Sequence, residues 1–206
     1  MWTLTSEIPH RVHVAVSGGA DSMALLHFVS QDPRRSVTAA VYDHGTGAHA
    51  AAAPLVEGLC DRLGINCVTA QLAHERDRGV SREEHWRQQR YAWLDSLGTA
   101  VLTGHNLDDA VETWLWSACH GQPTLMPARR NRVLRPLLAV RHQQLVKYCE
   151  QHGIEYWEDP ANRDHEQFAR PRVRYVLKAA AEYVHPGIYS TIRNRLLTRQ
   201  QLDHIL

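Results

Sequence analysis

Long apolar runs and paired cysteines are both missing from this chain of 206 residues. No apolar stretch approaches the roughly 20 residues that a membrane-spanning helix needs, and no basic segment followed by an apolar one opens the sequence, so we predict neither a membrane span nor a signal peptide. The four cysteines form no CxxC pair, which disfavours a zinc ribbon, an iron–sulfur cluster or a dithiol redox site. Unpaired cysteines without an export signal predict a cytoplasmic protein with free thiols.

Lysine is almost absent, since 21 of the 23 basic side chains are arginine. This scarcity argues against a mechanism built on a catalytic lysine, and the lack of a GKS or GKT sequence excludes a Walker P-loop. The 14 histidines are scattered without an HxH or HExxH pattern, so we expect most of them at surface or packing positions.

Charge is distributed unevenly along the chain. Residues 1–128 have a net charge of −5 and residues 129–206 a net charge of +6, so the overall charge of +1 hides two different parts. The asymmetry predicts a core over residues 1–128 that carries small-molecule or metal chemistry, and a basic, mostly helical part over residues 129–206 that contacts a polyanion. A chance partition of surface charge is the alternative.

Apolar strands alternate with helices over the first 118 residues. The predicted strands are 11–16, 36–42, 66–70 and 99–103, and the predicted helices are 21–31, 48–63, 83–97 and 107–118. Because each strand is nearly all apolar, the pattern predicts an α/β fold whose parallel sheet has helices on both faces. The further predictions are a loop or short hairpin after residue 121 and helices near residues 140–152, 172–183 and 188–206.

A glycine-rich loop follows the first predicted strand, and its residues are Ser17, Gly18, Gly19, Ala20, Asp21 and Ser22. Two glycines allow the backbone to approach an oxyanion, and the N–H groups at the start of the next helix favour negative charge. Ligands of parallel sheets bind at the carboxyl ends of the strands, where this loop lies. The sequence therefore predicts a phosphate-binding loop; an ordinary glycine turn with a serine cap is the alternative.

Acidic residues and a histidine follow two other strands at the same predicted edge of the sheet. Asp43 ends the second strand, where a carboxylate can hold Mg²⁺ or orient a nucleotide. His105 and Asp109 are four residues apart, so they share a face if the turn is helical, and Glu112 joins that face. The alternatives are a turn-capping role for Asp43 and a dipolar role at the helix N-terminus for Asp108 or Asp109.

The arginines of interest form two groups. Arg87 and Arg90 lie on the third predicted helix, where they either pair with acidic neighbours or face the site. Arg170, Arg172 and Arg174 alternate with proline and valine, and guanidinium groups suit bidentate binding of phosphate. We predict that the second group contacts phosphate; a solvated face is the alternative.

Seven segments stand out in order along the chain. They are SGGADS at 17–22, VYDHG at 41–45, the helix of 83–91 with Arg87 and Arg90, TGHNLDDAVET at 103–113, RPLL at 135–138, YWEDPAN at 156–162 and RPRVR at 170–174. Together they resemble the motifs of the tRNA(Ile)-lysidine synthetases, a family within the PP-loop superfamily of ATP pyrophosphatases. The first segment is common to the superfamily, whereas the others are specific in combination.

The resemblance implies a PP-loop fold, similar to that of the adenine nucleotide alpha hydrolases, which binds ATP and Mg²⁺ at the SGGADS loop. It implies an AMP-forming ligase that joins L-lysine to C2 of the wobble cytidine of tRNA(Ile) with a CAU anticodon. The residues it places in the reaction site are Asp43, also a candidate Mg²⁺ ligand, His105, Asp109 and Arg87. The residues it places in substrate or tRNA binding are Arg90, Glu112, Arg170, Arg172 and Arg174.

The resemblance is incomplete. Asn106 stands where the family has the second histidine of a pair, and Pro171 replaces an asparagine. The sequence ends soon after the last motif, so we expect a short form that lacks most of the C-terminal tRNA-recognition domains, and a homodimer is one way to compensate. Three alternatives stay open: another PP-loop enzyme such as a tRNA thiolase, which the missing cysteine pairs disfavour, a ligase acting on a small molecule, and a non-catalytic tRNA- or nucleotide-binding module.

Overall fold

A computed structural model describes residues 2–43, 45, 48–72, 82–158 and 187–203. The strands within these ranges are β1 (Arg11–Ala15), β2 (Ser36–Asp43), β3 (Asn66–Gln71), β4 (Ala100–Thr103), β5 (Arg129–Arg130) and β6 (Val133–Leu134). They form one six-stranded sheet with the order β3-β2-β1-β4-β6-β5. Neighbouring strands are parallel except at the edge, where β5 and β6 are an antiparallel pair.

Helices connect most of these strands and follow the last one. They are α1 (Ala20–Ser30), α2 (Ala48–Leu63), α3 (Arg82–Ser96), α4 (Leu107–Cys119), α5 (His142–Gln151) and α6 (Gly187–Asp203). Within the described ranges, none of them combines the length and the apolar character needed to cross a bilayer.

The main core lies between one face of the sheet and α1, α2 and α5. Val12 and Val14 are both buried, and because they are two positions apart on β1 they point to this same face. Leu102 of β4 continues the face and has no exposed surface. On the opposite face, Leu94 of α3 packs with Val101, so helices cover both sides of the sheet.

The structure confirms the α/β class, the parallel strands and the helices between them, and the boundaries of the four predicted strands and of α1 to α4 differ from the predicted ones by at most one residue at each end. The short hairpin predicted after residue 121 is β5 and β6, and the last predicted helix is α6. The helix predicted near residues 172–183 lies outside the described residues.

The basic part of the chain, residues 129–206, contributes the strands β5 and β6 to the sheet. Leu134 of β6 pairs with Leu102 of β4, and both belong to the main core. The sheet therefore crosses residue 128, because the fifth and sixth strands come from residues 129–134. The division of functions between residues 1–128 and 129–206 stays a prediction.

Truncation of Leu102 tests the core. We expect Leu102→Ala to lower the free energy of unfolding by about 2–5 kcal/mol, because it removes buried methyl groups and leaves a cavity in the main core. Denaturant unfolding followed by circular dichroism measures the change. Leu197→Ala, which truncates a half-buried leucine of α6, is the control and should lose clearly less stability. Equal losses would contradict the central position of Leu102.

Candidate active site

The order in which the chain adds strands to the sheet reverses between β1 and β4, although these two strands are parallel. From β1 it adds β2 and β3 on one side, and it then returns to add β4 and β6 on the other. At such a reversal the loops after the two central strands diverge and leave a crevice at the carboxyl edge, the usual ligand position in an open parallel sheet. These two loops carry the SGGADS and TGHNLDD segments.

The loop after β1 is tight and internally bonded. Ser22 Oγ donates to the carbonyl of Gly19 at 2.9 Å and accepts from the N–H of Ser17 at 3.2 Å. Gly18 has a φ of +83°, and a Cβ built on it would lie 2.5 Å from the Cβ of Ala52 on α2. Glycine is therefore required here, both for the left-handed backbone and for the contact with α2.

The N-terminus of α1 is open to an anion. Gly19 is the N-cap and provides no side-chain capping bond. The N–H of Ser22 donates to the carbonyl of Gly19 at 3.1 Å, so the N–H groups of Ala20 and Asp21 are the ones at the helix start that can bind an anion. The backbone of Trp157 approaches the loop from another segment, because its N–H donates to the carbonyl of Gly18 at 2.9 Å. Free N–H groups at the start of a helix, such as those of α1, bind phosphate.

The loop after β4 lies directly against this helix start. A Cβ on Gly104 would be 3.0 Å from the carbonyl carbon of Asp21 and from the nitrogen of Ser22. The following residues begin α4 with a capping box: the N–H of Asp109 donates to Asn106 Oδ1 at 3.1 Å, and the N–H of Asn106 donates to Asp109 Oδ2 at 3.0 Å. The two predicted site segments therefore meet in one crevice.

His105 does not share a helical face with Asp109. Asn106 is the N-cap of α4, so His105 precedes the helix, and its Nδ1 lies 2.8 Å from Thr103 Oγ1. The expected shared face was wrong because asparagine is a strong N-cap residue and starts the helix after His105. Glu112 does lie one turn beyond Asp109, and it is buried.

Negative charge gathers where α1 and α4 begin. Asp21 Oδ1 lies 2.8 Å from Nδ1 of His142, the first residue of α5. Burial raises the pKa of Asp21 and the charge of Asp109 raises it further, whereas the contacts with His142 and Asn106 act in the opposite direction. The crevice thus holds two interacting carboxylates at the positive ends of two helix dipoles.

Asp108 is bound by α5 and contributes to the scaffold of the crevice. Arg141 donates to both of its oxygens at 3.1 Å, and the N–H of His142 donates to Oδ2 at 2.8 Å. The ring of Tyr189 on α6 stacks on the Arg141 guanidinium, with 3.5 Å between Cζ and the ring centroid. Asp108 therefore connects α4 to α5 and, through Arg141, to α6.

Asp43 ends β2 at the same edge of the sheet. Its Oδ1 accepts from the N–H of Gly45 at 2.8 Å and its Oδ2 accepts from Gln71 Nε2 at 3.3 Å, so it does cap the turn. Each carboxylate oxygen keeps a further lone pair for a ligand. In the described part of the chain no three His, Cys, Asp or Glu side chains are grouped to hold a metal ion. A single carboxylate beside bound phosphates nevertheless suits Mg²⁺.

Arginines surround Tyr91 in the middle of α3. The guanidinium carbons of Arg87 and Arg90 lie 5.7 and 5.4 Å from the centroid of its ring, and Arg135 Nη2 donates to its hydroxyl at 3.4 Å. Burial acts to raise the pKa of Tyr91, but the hydrogen bond from Arg135 and the charges of all three arginines lower it overall. Because Arg135 directly follows β6, which is parallel to β4, this positive group includes a side chain from the carboxyl edge of the sheet, where the crevice lies.

Sequence reasoning missed the contribution of α5. His142 is 121 positions from Asp21, and no local spacing rule connects residues so far apart. Arg135 is the first residue of the RPLL segment, and this motif was the sequence feature that pointed to a role for it. The predicted phosphate-binding group of Arg170, Arg172 and Arg174 lies outside the described residues.

These features define an α/β domain with a candidate phosphate site between β1 and β4. The chain belongs to the PP-loop domain family, whose model matches residues 3–180. Its curated relatives include tRNA(Ile)-lysidine synthases. That of Novosphingobium aromaticivorans is 34% identical, with 86% of this chain and 59% of the relative covered. That of Bifidobacterium longum is 34% identical (83% and 50% covered), and that of Staphylococcus aureus strain COL 30% identical (81% and 43% covered). The chain spans about half the length of these relatives.

Solved structures support the fold. A U34-tRNA thiolase, NcsA from Methanococcus maripaludis, superposes with a TM-score of 0.74 at 16% identity and covers 93% of this chain and 72% of its own. An NH3-dependent NAD synthetase from Campylobacter jejuni gives a TM-score of 0.51 at 12% identity, with 93% and 86% covered. At these identities the likeness concerns the fold alone.

A substitution of Gly18 tests the loop geometry. Gly18→Ala should lower the free energy of unfolding by more than Gly121→Ala, because both have φ near +80° but Gly121 has open space around it. The control carries the left-handed strain alone, about 1–2 kcal/mol, whereas Gly18→Ala also forces α2 away from the loop. Chemical denaturation measures both, and equal losses would contradict the contact between Gly18 and Ala52.

Proposed function

We propose that this chain catalyses the ATP-dependent ligation of L-lysine to the wobble cytidine of tRNA(Ile) with a CAU anticodon. The observation that carries the proposal is the direct contact of the loops after β1 and β4, which joins the phosphate-binding segment and the Asp109 segment in one crevice. The similarity to tRNA(Ile)-lysidine synthases supports the same activity.

The nucleotide is proposed to bind with its phosphates at the start of α1. The open N–H groups there favour an anion, and the hydroxyl groups of the loop add donors. The ATP-binding residues are then Ser17, Gly18, Gly19, Ala20, Asp21 and Ser22. Asp43 would hold Mg²⁺ together with the phosphates, and the ion would neutralise charge on them.

The proposed reaction has two displacement steps. In the first, the C2 carbonyl oxygen of the cytidine attacks the α-phosphorus of ATP, and pyrophosphate leaves. In the second, the ε-amine of lysine attacks C2, AMP leaves and the nitrogen releases a proton. The site has to hold the nucleophile in line and to balance the charge that develops on phosphate.

Four residues are proposed for the reaction itself. His105 and Asp109 would orient the base or accept the proton of the lysine ammonium, because both follow β4 beside the phosphate loop. Arg87, at the positive group around Tyr91, would offset charge on the reacting phosphate. Asp43 acts through Mg²⁺ as described.

The remaining residues are proposed to bind substrate. Arg90 and Glu112 would contact lysine or the anticodon, and the second arginine group would contact tRNA phosphates. Anticodon bases are unpaired, so one of them can enter a pocket without breaking a helix. A cytoplasmic location fits this activity, and a homodimer stays a prediction.

Labelled lysine tests the activity. Incubation with ATP, Mg²⁺, radiolabelled lysine and CAU-anticodon tRNA should transfer the label to RNA, and a transcript with uridine at the wobble position should stay unlabelled. Asp109→Asn should abolish the transfer with the fold intact, because the amide oxygen can still accept from Asn106 and keep the helix cap. Asp95→Asn, on the exposed face of α3, is the matched control and should retain activity.

The other outcomes identify the alternatives. ATP binding without transfer of lysine would reject the proposal. ATP–pyrophosphate exchange in the absence of tRNA would favour a ligase of small molecules, whereas nucleotide or tRNA binding without any exchange would favour a non-catalytic module.

The salt dependence of tRNA binding tests the basic part. Replacing Arg170, Arg172 or Arg174 singly by glutamine should reduce the slope of log affinity against log salt concentration by about one, because one phosphate contact is lost. Arg34→Gln, at an exposed site before β2, should leave the slope unchanged. Filter binding over a salt series measures both, and slopes that match the unmodified protein would exclude these arginines from the interface.

A further inference from the structure

Two anions compete for the start of α1. Asp21 lies in its first turn, and the phosphate site proposed above uses the N–H groups of that same turn, so the inference rests on the proposed function. A carboxylate beside a triphosphate repels it unless the carboxylate is balanced. Asp109 places a second carboxylate nearby, which makes the need for balance greater.

One basic side chain contacts Asp21 within the described part of the structure. His142 begins α5, and its Nδ1 lies 2.8 Å from Asp21 Oδ1 with half of the imidazole exposed. Because an ionised carboxylate can only accept, Nδ1 carries the proton of this bond. The Asn106 amide also contacts Asp21 but has no charge to offer.

The other groups around His142 are already engaged or neutral. Asp108 and Arg141 bind each other at two points, and Tyr189 covers the guanidinium. Cys149, further along α5, donates to the carbonyl of Ala20, and burial raises the pKa of its thiol to about 11. As far as the structure describes it, His142 is therefore the basic group in contact with Asp21, and histidine is the side chain whose charge can change near neutral pH.

We infer that His142 is a positioning residue for the phosphate site: it fixes the Asp21 carboxylate and, when protonated, offsets its charge beside the bound triphosphate. The neutral imidazole provides one hydrogen bond, and the imidazolium provides the same bond and a positive charge. ATP binding should therefore strengthen as the pH falls and the imidazole becomes protonated, beyond the change caused by titration of ATP itself.

Two substitutions separate the hydrogen bond from the charge. The amide nitrogen of asparagine takes the place of Nδ1, so His142→Asn keeps a donor to Asp21 and removes the titration, whereas His142→Ala removes both. His120→Asn is the matched control, because its Nδ1 also makes a hydrogen bond, to the carbonyl of Trp116 at the far end of α4. Calorimetry between pH 5.5 and pH 8.5 measures the affinity of each protein for Mg²⁺–ATP, and the unfolding free energy of each variant verifies the fold.

We expect His142→Asn to match the unmodified protein at about pH 8 and to bind ATP about threefold to tenfold more weakly near pH 6. His142→Ala should be weaker at both values, and His120→Asn should follow the unmodified protein throughout. If His142→Asn follows the unmodified protein at every pH, or if His142→Ala binds ATP normally, the inference is overturned. If the unmodified protein binds no ATP at any pH, the proposed function fails with it.

Discussion

The backbone of Gly104 lies so close to the first turn of α1 that an added Cβ would stand 3.0 Å from two of its backbone atoms. This approach brings the loop after β4 onto the loop after β1, at the reversal point of the sheet. The core depends on the same geometry, because β1 and β4 are neighbours and both contribute buried side chains to one face. The capping box at the start of α4 therefore lies beside the first turn of α1, where Asp21 pairs with His142.

In the crevice, the positive N-termini of two helices lie beside carboxylates and basic side chains. The starts of α1 and α4 are positive through their dipoles and attract anions. The side chains of Asn106 and Asp109 cap the N-terminus of α4. The N-terminus of α1 has no capping side chain and can therefore bind a phosphate. Arg141 and His142 then bring positive charge from α5 to the carboxylates, so that the site can accept a further anion without an excess of negative charge.

The sequence predicted the parts of this structure that depend on local pattern. Apolar strands and glycine-ended helices indicated the parallel sheet, and the position of each motif after a strand indicated the edge at which the site lies. The sequence pattern could not predict contacts between distant residues such as His142 and Asp21, because no periodicity links two helices so far apart in the chain. The position of His105 failed for a local reason, since Asn106 competes as the N-cap. The strands β5 and β6 have two residues each, too few for an alternating pattern to define them.

Every role proposed for the crevice depends on where the triphosphate binds. A crystal structure of the protein with Mg²⁺ and a non-hydrolysable ATP analogue tests this directly. We expect the phosphates in the crevice between β1 and β4, against the N–H groups of residues 18–22, with the α-phosphate facing the segment that carries His105 and Asp109. Phosphates bound at any other edge of the sheet, or turned away from that loop, would contradict this expectation.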